Sequence, residues 1–201
     1  MEPDLDEVPL AKPGRSRLVF FGVCLVFLAA VAAFWQWRVT AAADARPSLS
    51  LASTSFASGG PIPRKCTCEG QDLSPGLRWS GAPSGTRSFV LIVHDPDAPV
   101  DFTHWLAYRI PPAVNGLPEG ASTDGKMPAG TAEGINGFSR IGYAGPCPPP
   151  GEPHRYMFRI YALDFDPHLA PGATREQVET AIKDHVLAEG RLMGTYRRAG
   201  F

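Results

Sequence analysis

The sequence carries almost no charge imbalance: 19 Lys and Arg stand against 20 Asp and Glu, a net charge of -1. A nucleic-acid binder normally shows a basic excess or a basic stripe, so no nucleic-acid partner is expected. Cys-x₂-Cys and paired-His spacings are missing, and with them the signature of a structural zinc site. No metal or other cofactor is expected. The nucleophile elbow G-x-S-x-G is also missing, and no Ser stands out by spacing as a nucleophile. There is no internal repeat, and 201 residues are too few for two full domains plus an anchor. What the chain does have is Gly and Pro, 21 of each. That is below the level that marks disorder. They cluster between apolar runs and read as turn chemistry in a strand-rich domain.

One long apolar run stands apart from the rest. Leu18–Trp37 carries no charged residue, and Gln36 is its one strongly polar side chain. At ~1.5 Å rise per residue such a helix matches the roughly 30 Å of a bilayer core. Lys12, Arg15 and Arg17 precede it, Arg38 and Arg46 follow, and Trp35 and Trp37 sit at the far interface. The charge bias places the N-terminus inside. The reading is a cytoplasmic tail over 1–17, a transmembrane helix or uncleaved signal anchor over 18–38, a linker over 39–48 and an exported domain over 49–201. The domain then lies on the extracytoplasmic, periplasmic side of the inner membrane. The small residues of Thr40–Ala45 keep a cleaved signal, and so a secreted domain, as the rival.

In the domain, Leu49–Ser55 alternates as a strand does. Leu77–Ser80 is a short strand. Ser88–His94 is continuously apolar, as in a strand buried on both faces, and the Pro residues of Asp95–Pro99 stop it. Thr103–Ile110 is a further strand, and Ser139–Tyr143 a short one. Asn115–Gly134 reads as irregular. His154–Leu163 is the clearest strand; its period of two puts His154, Tyr156, Phe158 and Ile160 on one face. One helix is signalled by a capping-box pair, Thr174 and Gln177, by the stripe Val178, Ala181, Ile182 and His185 or Val186, and by Gly190 as its C-terminal stop. A last strand covers Leu192–Arg197. The fold class is mainly β and antiparallel, with one late helix.

Three segments place polar groups at strand ends. In Asp95-Pro96-Asp97-Ala98-Pro99 the prolines fix φ and push their predecessors into extended geometry, so two carboxylates sit on a stiff loop. His104 interrupts an apolar strand. Gly145-Pro146-Cys147-Pro148-Pro149-Pro150-Gly151 is followed by His154-Arg155-Tyr156. Gly145 allows close approach of a ligand to the backbone, and the prolines limit the entropy lost on binding. Two imidazoles and a phenol donate to phosphate-like oxygens, and an Asp orients a His by accepting its other ring proton.

These segments, in this order, resemble the two signature blocks of the phosphatidylethanolamine-binding protein family: DPDAP with His104, then GYAGPCPPPGEPHRY (Gly142–Tyr156). CTCEGQDLSPGLRWSGAP (Cys66–Pro83) and LAEGRLMGTYRR (Leu187–Arg198) are similar to its bacterial, Raf kinase inhibitor-like members. The resemblance implies a β-sandwich-like core with a shallow pocket for phosphate, phosphorylethanolamine, acetate and similar anions, and a binding rather than enzymatic role. Carried over, Asp95, Asp97 and Pro99 line one wall, His104 the floor, Gly145 and Pro146 a second wall, and His154 and Tyr156 a third. Cys66 departs from the pattern, since relatives often have an aromatic residue there. The four residues between Pro99 and His104 are fewer than in eukaryotic members, which argues against kinase binding of the eukaryotic sort. Protease or kinase inhibition through Asn115–Gly134, or weak His/Asp hydrolysis, are the alternatives. In an oxidising compartment, a bridge from Cys68 or Cys66 to Cys147 is expected, with Cys68 and Cys147 the candidate pair.

Overall fold

The computed structural model describes residues 47–198. Arg46–Phe201 is one compact unit. The apolar run Leu18–Trp37, its flanking tail and most of the linker lie outside the described residues. Among the described residues no helix is long and apolar enough to cross a membrane.

Two antiparallel sheets form a sandwich. The small one joins β1 (Ser50–Ser53), β2 (Leu77–Ser80) and β5 (Gly116–Leu117) in the order β1-β2-β5. The large one contains β3 (Ser88–Asp95), β4 (Phe102–Ile110), β6 (Ala132–Glu133), β7 (His154–Leu163) and β8 (Val186–Tyr196), in the order β6-β4-β3-β7-β8. One helix, α1 (Arg175–Ile182), packs on the outer face of the large sheet.

The continuous apolar run of β3 follows from its position between β4 and β7. Phe89, Leu91 and Val93 face the small sheet, meeting Leu51, Leu77 and Trp79. The intervening Val90 and Ile92 face the other way, into a second cluster with Leu106, Tyr108, Val178 and Ile182. Both faces are therefore dry, and each fully buried side chain of this size contributes about 1.5–3 kcal/mol. Trp79 and Phe89 link the two sheets edge to face, with ring centroids 5.5 Å apart.

The helix starts where its cap is written. Thr174 Oγ1 accepts the Gln177 N–H at 3.3 Å, and Gln177 Oε1 accepts the Thr174 N–H at 2.9 Å. It does not reach Gly190. It ends at Ile182, and Val186 already belongs to β8, which pairs along nearly the whole of β7. That ladder overrides the helical stripe. Gly190 lies inside β8, where a Cβ would come within 2.8 Å of the Leu49 carbonyl oxygen and 2.9 Å of Ile160 Cγ2. Its role is close packing rather than helix termination. Ser139–Tyr143 is not a strand; an isolated bridge joins Ile135 to Ile141 around a tight loop. Asn115–Gly134, expected to be irregular, contains β5 and β6.

Candidate functional site

The site is assembled at one end of the large sheet, where β3 ends and β4 and β7 begin. β3 ends on Asp95, whose Oδ1 accepts the backbone N–H groups of Asp97 (2.9 Å) and Ala98 (3.2 Å). This Asx turn folds the proline-stiffened loop back over the sheet. Asp95 Oδ2 accepts from His154 Nδ1 at 2.7 Å. Both carboxylate oxygens are thus engaged, and the bond fixes the tautomer of His154, leaving Nε2 for a ligand.

His104 reaches the cavity through a β-bulge. Val93 faces Trp105 and His94 faces Thr103, so His104 has no partner on β3. Strict alternation would send it to the face opposite Trp105, which is in the inter-sheet core. The extra residue re-aims it, and its ring lies 5.1 Å from that of Tyr156 on the inter-sheet side. His104 Nδ1 donates to the Ala144 carbonyl at 2.6 Å, and its own carbonyl accepts the Ala144 N–H at 2.9 Å. Burial pushes the imidazole pKa below its ordinary value, which makes it a neutral ring with Nε2 as an acceptor.

Tyr156 is fully buried; its hydroxyl completes no hydrogen bond of good geometry among the described residues, although the Asp95 carboxylate lies within hydrogen-bonding reach of it. Burial first, and the nearby Asp95 charge second, raise its pKa well above the ordinary value. The phenol therefore stays a donor. A buried hydroxyl left without a well-formed bond costs roughly 1–3 kcal/mol, and this one faces the same cavity as the two imidazoles.

These groups share one cavity of about 150 Å³. Asp95, Pro99, His104, His154 and Tyr156 line it, and Ala98, Phe102, Phe138, Cys147, Pro148 and Pro149 complete the wall. One end is polar, the other apolar. Three residues anticipated from sequence do not line it. Asp97 turns outward to Arg155, which donates from its backbone N–H (2.8 Å) and from Nε (2.9 Å) to Oδ2, and from its terminal nitrogen (2.6 Å) to Oδ1. That guanidinium holds the Asp97 carboxyl down at about 2. Gly145 does permit a close approach, but the chain that approaches is the protein's own. A Cβ there would meet the Cys66 carbonyl oxygen at 2.4 Å and Asp72 Oδ1 at 2.6 Å, and the Gly145 N–H donates to that same Asp72 oxygen. The carbonyl of Pro146 accepts from the Cys68 N–H at 3.2 Å. Both residues stand behind the wall, not in it.

A disulfide joins Cys68 to Cys147, with Cα atoms 5.5 Å apart. Cys66 is free and buried, and burial pushes its thiol up to about 11, so it is unreactive. Among the described residues no group of three or more His, Cys, Asp or Glu is gathered to hold a metal ion.

Sequence reasoning missed Phe102 and Phe138. The ring of Phe102 lies 5.1 Å from His104 and 4.8 Å from Phe138. An aromatic residue two positions before His104 was a usable signal. Phe138 gave none, because it arrives on the loop between Ile135 and Ile141. Gly137 brings that loop onto β4: its N–H donates to the Thr103 carbonyl, and a Cβ would collide with the Phe102 ring.

The described fold is a β-sandwich with a small cavity at one end of its large sheet. The family model for phosphatidylethanolamine-binding protein matches residues 52–197. The chain is 46% identical over 151 residues to a UPF0098 protein of Methanothermobacter thermautotrophicus, covering 75% of this chain and 99% of that one. It is 44% identical over 155 residues to a UPF0098 protein of Aquifex aeolicus, covering 75% and 89%. Among solved structures it resembles a phosphatidylethanolamine-binding protein homologue of Chlamydia trachomatis (39% identity, TM-score 0.68, 76% of this chain and 99% of that one). It also resembles E. coli YbcL, a member of the mammalian PEBP family (32% identity, TM-score 0.71, 75% and 99%). The chain belongs to the phosphatidylethanolamine-binding protein family, and within it to the UPF0098 type. The archaeal relative, matched over nearly its whole length, consists of this domain alone.

Proposed function

We propose that the cavity binds small anions, phosphate monoesters such as phospholipid headgroups above all, and holds them without chemical turnover. The Tyr156 hydroxyl beside the two imidazoles carries this reading. Tyr156 donates to one ligand oxygen, and His154, oriented through Nδ1 by Asp95, presents Nε2 to another. The disulfide removes Cys147 as a thiol nucleophile. The apolar run Leu18–Trp37 holds the domain at the extracytoplasmic face of the membrane. The Cys68–Cys147 bridge supports that placement, since such bonds persist in oxidising compartments.

Neutral His104 sets a condition on the ligand. Its Nε2 accepts, so one proton must come with the anion or be taken up by the ring. A phosphate monoester supplies it while its second ionisation, near pH ~6, is incomplete. Burial lowers the His104 pKa, so near neutral pH the free ring is chiefly unprotonated and an acceptor at Nε2. Calorimetric titration of phosphorylethanolamine into residues 46–201 is expected to show affinity falling about fifty-fold between pH 6 and pH 8, following the monoanion fraction. A sulfate monoester, which has no such proton, binds more weakly throughout. Affinity flat across that range would remove the proton requirement, and no binding of any phosphate ester would remove the function.

A further inference from the structure

The stretch Ala98–Phe102 forms one lip of the cavity, which Ala98, Pro99 and Phe102 line. The Asx turn on Asp95 ties down its first residue. Its far half is tied down, among the described residues, by the side chain of Asp101. Asp101 does not line the cavity. Its Oδ1 accepts from His94 Nδ1 at 2.5 Å, and its Oδ2 accepts from a terminal nitrogen of Arg175 at 2.9 Å. Arg175 also donates from Nε to Glu179 Oε1 at 2.7 Å. The carboxylate thus hooks the lip to the outer face of the large sheet, where α1 packs.

Both partners of Asp101 stand where local chemistry disfavours them. His94 follows Val90 and Ile92 on a face of β3 that is otherwise apolar, and it is 4% exposed. Its Nε2 is buried with no hydrogen-bond partner among the described residues, a penalty that an apolar side chain would not carry. The charged groups acting on the ring are Asp101 from the lip, Arg175 from α1 and Arg159 from β7. Burial outweighs the pull of Asp101, with the two cations adding to it, and lowers the pKa. The neutral ring therefore donates through Nδ1. Arg175 is the first residue of α1, and a cation there opposes the helix dipole. Asp101 itself is half-exposed, so its pair with Arg175 adds little to stability. Two residues that stability alone would not select converge on one carboxylate, and such local violations gather at functional sites.

We propose that Asp101 is a positioning residue for the anion cavity, a latch through which His94 and α1 hold the lip against the bound ligand. The inference rests on the anion reading above and adds to it the control of how long the ligand stays. With the latch removed, Pro99 and Phe102 no longer close on the ligand, while the Tyr156 and His154 contacts are untouched.

The test uses residues 46–201 and phosphorylethanolamine, reading affinity, dissociation rate and the backbone order parameters of the ligand-free lip. Asp101→Ala and His94→Leu are expected to weaken binding about 10-fold, chiefly through faster dissociation. The order parameters over Ala98–Asp101 should fall from about 0.85 to below about 0.6. Arg175→Gln, which removes one of the two bonds without touching β3, should weaken binding about threefold. His94→Asn, whose amide nitrogen stands near the place of Nδ1, should restore most of what His94→Leu loses. A merely structural His94 gives the reverse order, because Leu fills the apolar stripe and Asn does not. Parent-like affinity in Asp101→Ala, or a lip that stays ordered, overturns the latch and leaves the anion reading intact. An unsubstituted domain that binds no phosphate ester overturns the anion reading, and with it the role of the latch in binding.

Discussion

Replacing Tyr156 by Phe separates binding from stability, because the hydroxyl is costly without ligand and useful with it. In the ligand-free domain the hydroxyl is buried without a well-formed bond among the described residues. Removing it relieves a polar group that costs roughly 1–3 kcal/mol when unsatisfied. The ring stays, so its edge-to-face packing against His104 is kept. Ligand-free stability should be unchanged or rise by about 1 kcal/mol, which for a domain of this size is an increase of about 2–4 °C in Tm. With phosphate bound the hydroxyl donates to a charged acceptor, an interaction of roughly 1.5–3 kcal/mol. Its loss weakens binding by about 10- to 150-fold. Thermal unfolding with and without phosphate, together with calorimetry, reads both quantities on one preparation. A ligand-free variant destabilised by more than about 1 kcal/mol would mean that the hydroxyl has a protein partner. Unchanged affinity would mean that it never meets the ligand. Either result refutes the reasoning.

Two further outcomes follow from the wall behind the cavity. Gly145→Ala drives a Cβ into backbone at Cys66 and Thr67 and should cost about 3 kcal/mol, read by denaturant unfolding; a midpoint equal to that of the parent would show that the contact is not tight. The double variant Cys68→Ser/Cys147→Ser opens a loop of 79 residues. Loop-closure entropy puts the loss on the order of 4 kcal/mol, and a loss below about 1 kcal/mol would show that the bridge does not restrain the unfolded chain.

Much of the frame was legible because it rests on short-range chemistry. The alternation of His154–Leu163, the doubly buried run of Ser88–His94 and the Thr174–Gln177 cap each report the local environment directly. The end of the helix was not legible, since Val186–Gly190 satisfies a helical stripe and a strand equally and only the ladder with β7 decides. The site divides the same way. His154 and Tyr156 lie on one face by simple period. His104 reaches the inter-sheet side only through a bulge that no residue type announces. Gly145 correctly signalled a close backbone approach, but spacing could not say whether ligand or protein would fill the gap. Phe138 enters through a loop whose path depends on Gly137 meeting Phe102, a contact between residues 35 positions apart.

The bulge at His104 has a mechanical consequence. Left out of the β3 ladder, this residue is bonded twice to Ala144 instead, once through its carbonyl and once through its ring. Imidazole and proline-rich segment are therefore bonded directly to each other. The position of the ring nitrogen is set by the loop that carries Ala144 as well as by the sheet that carries His104.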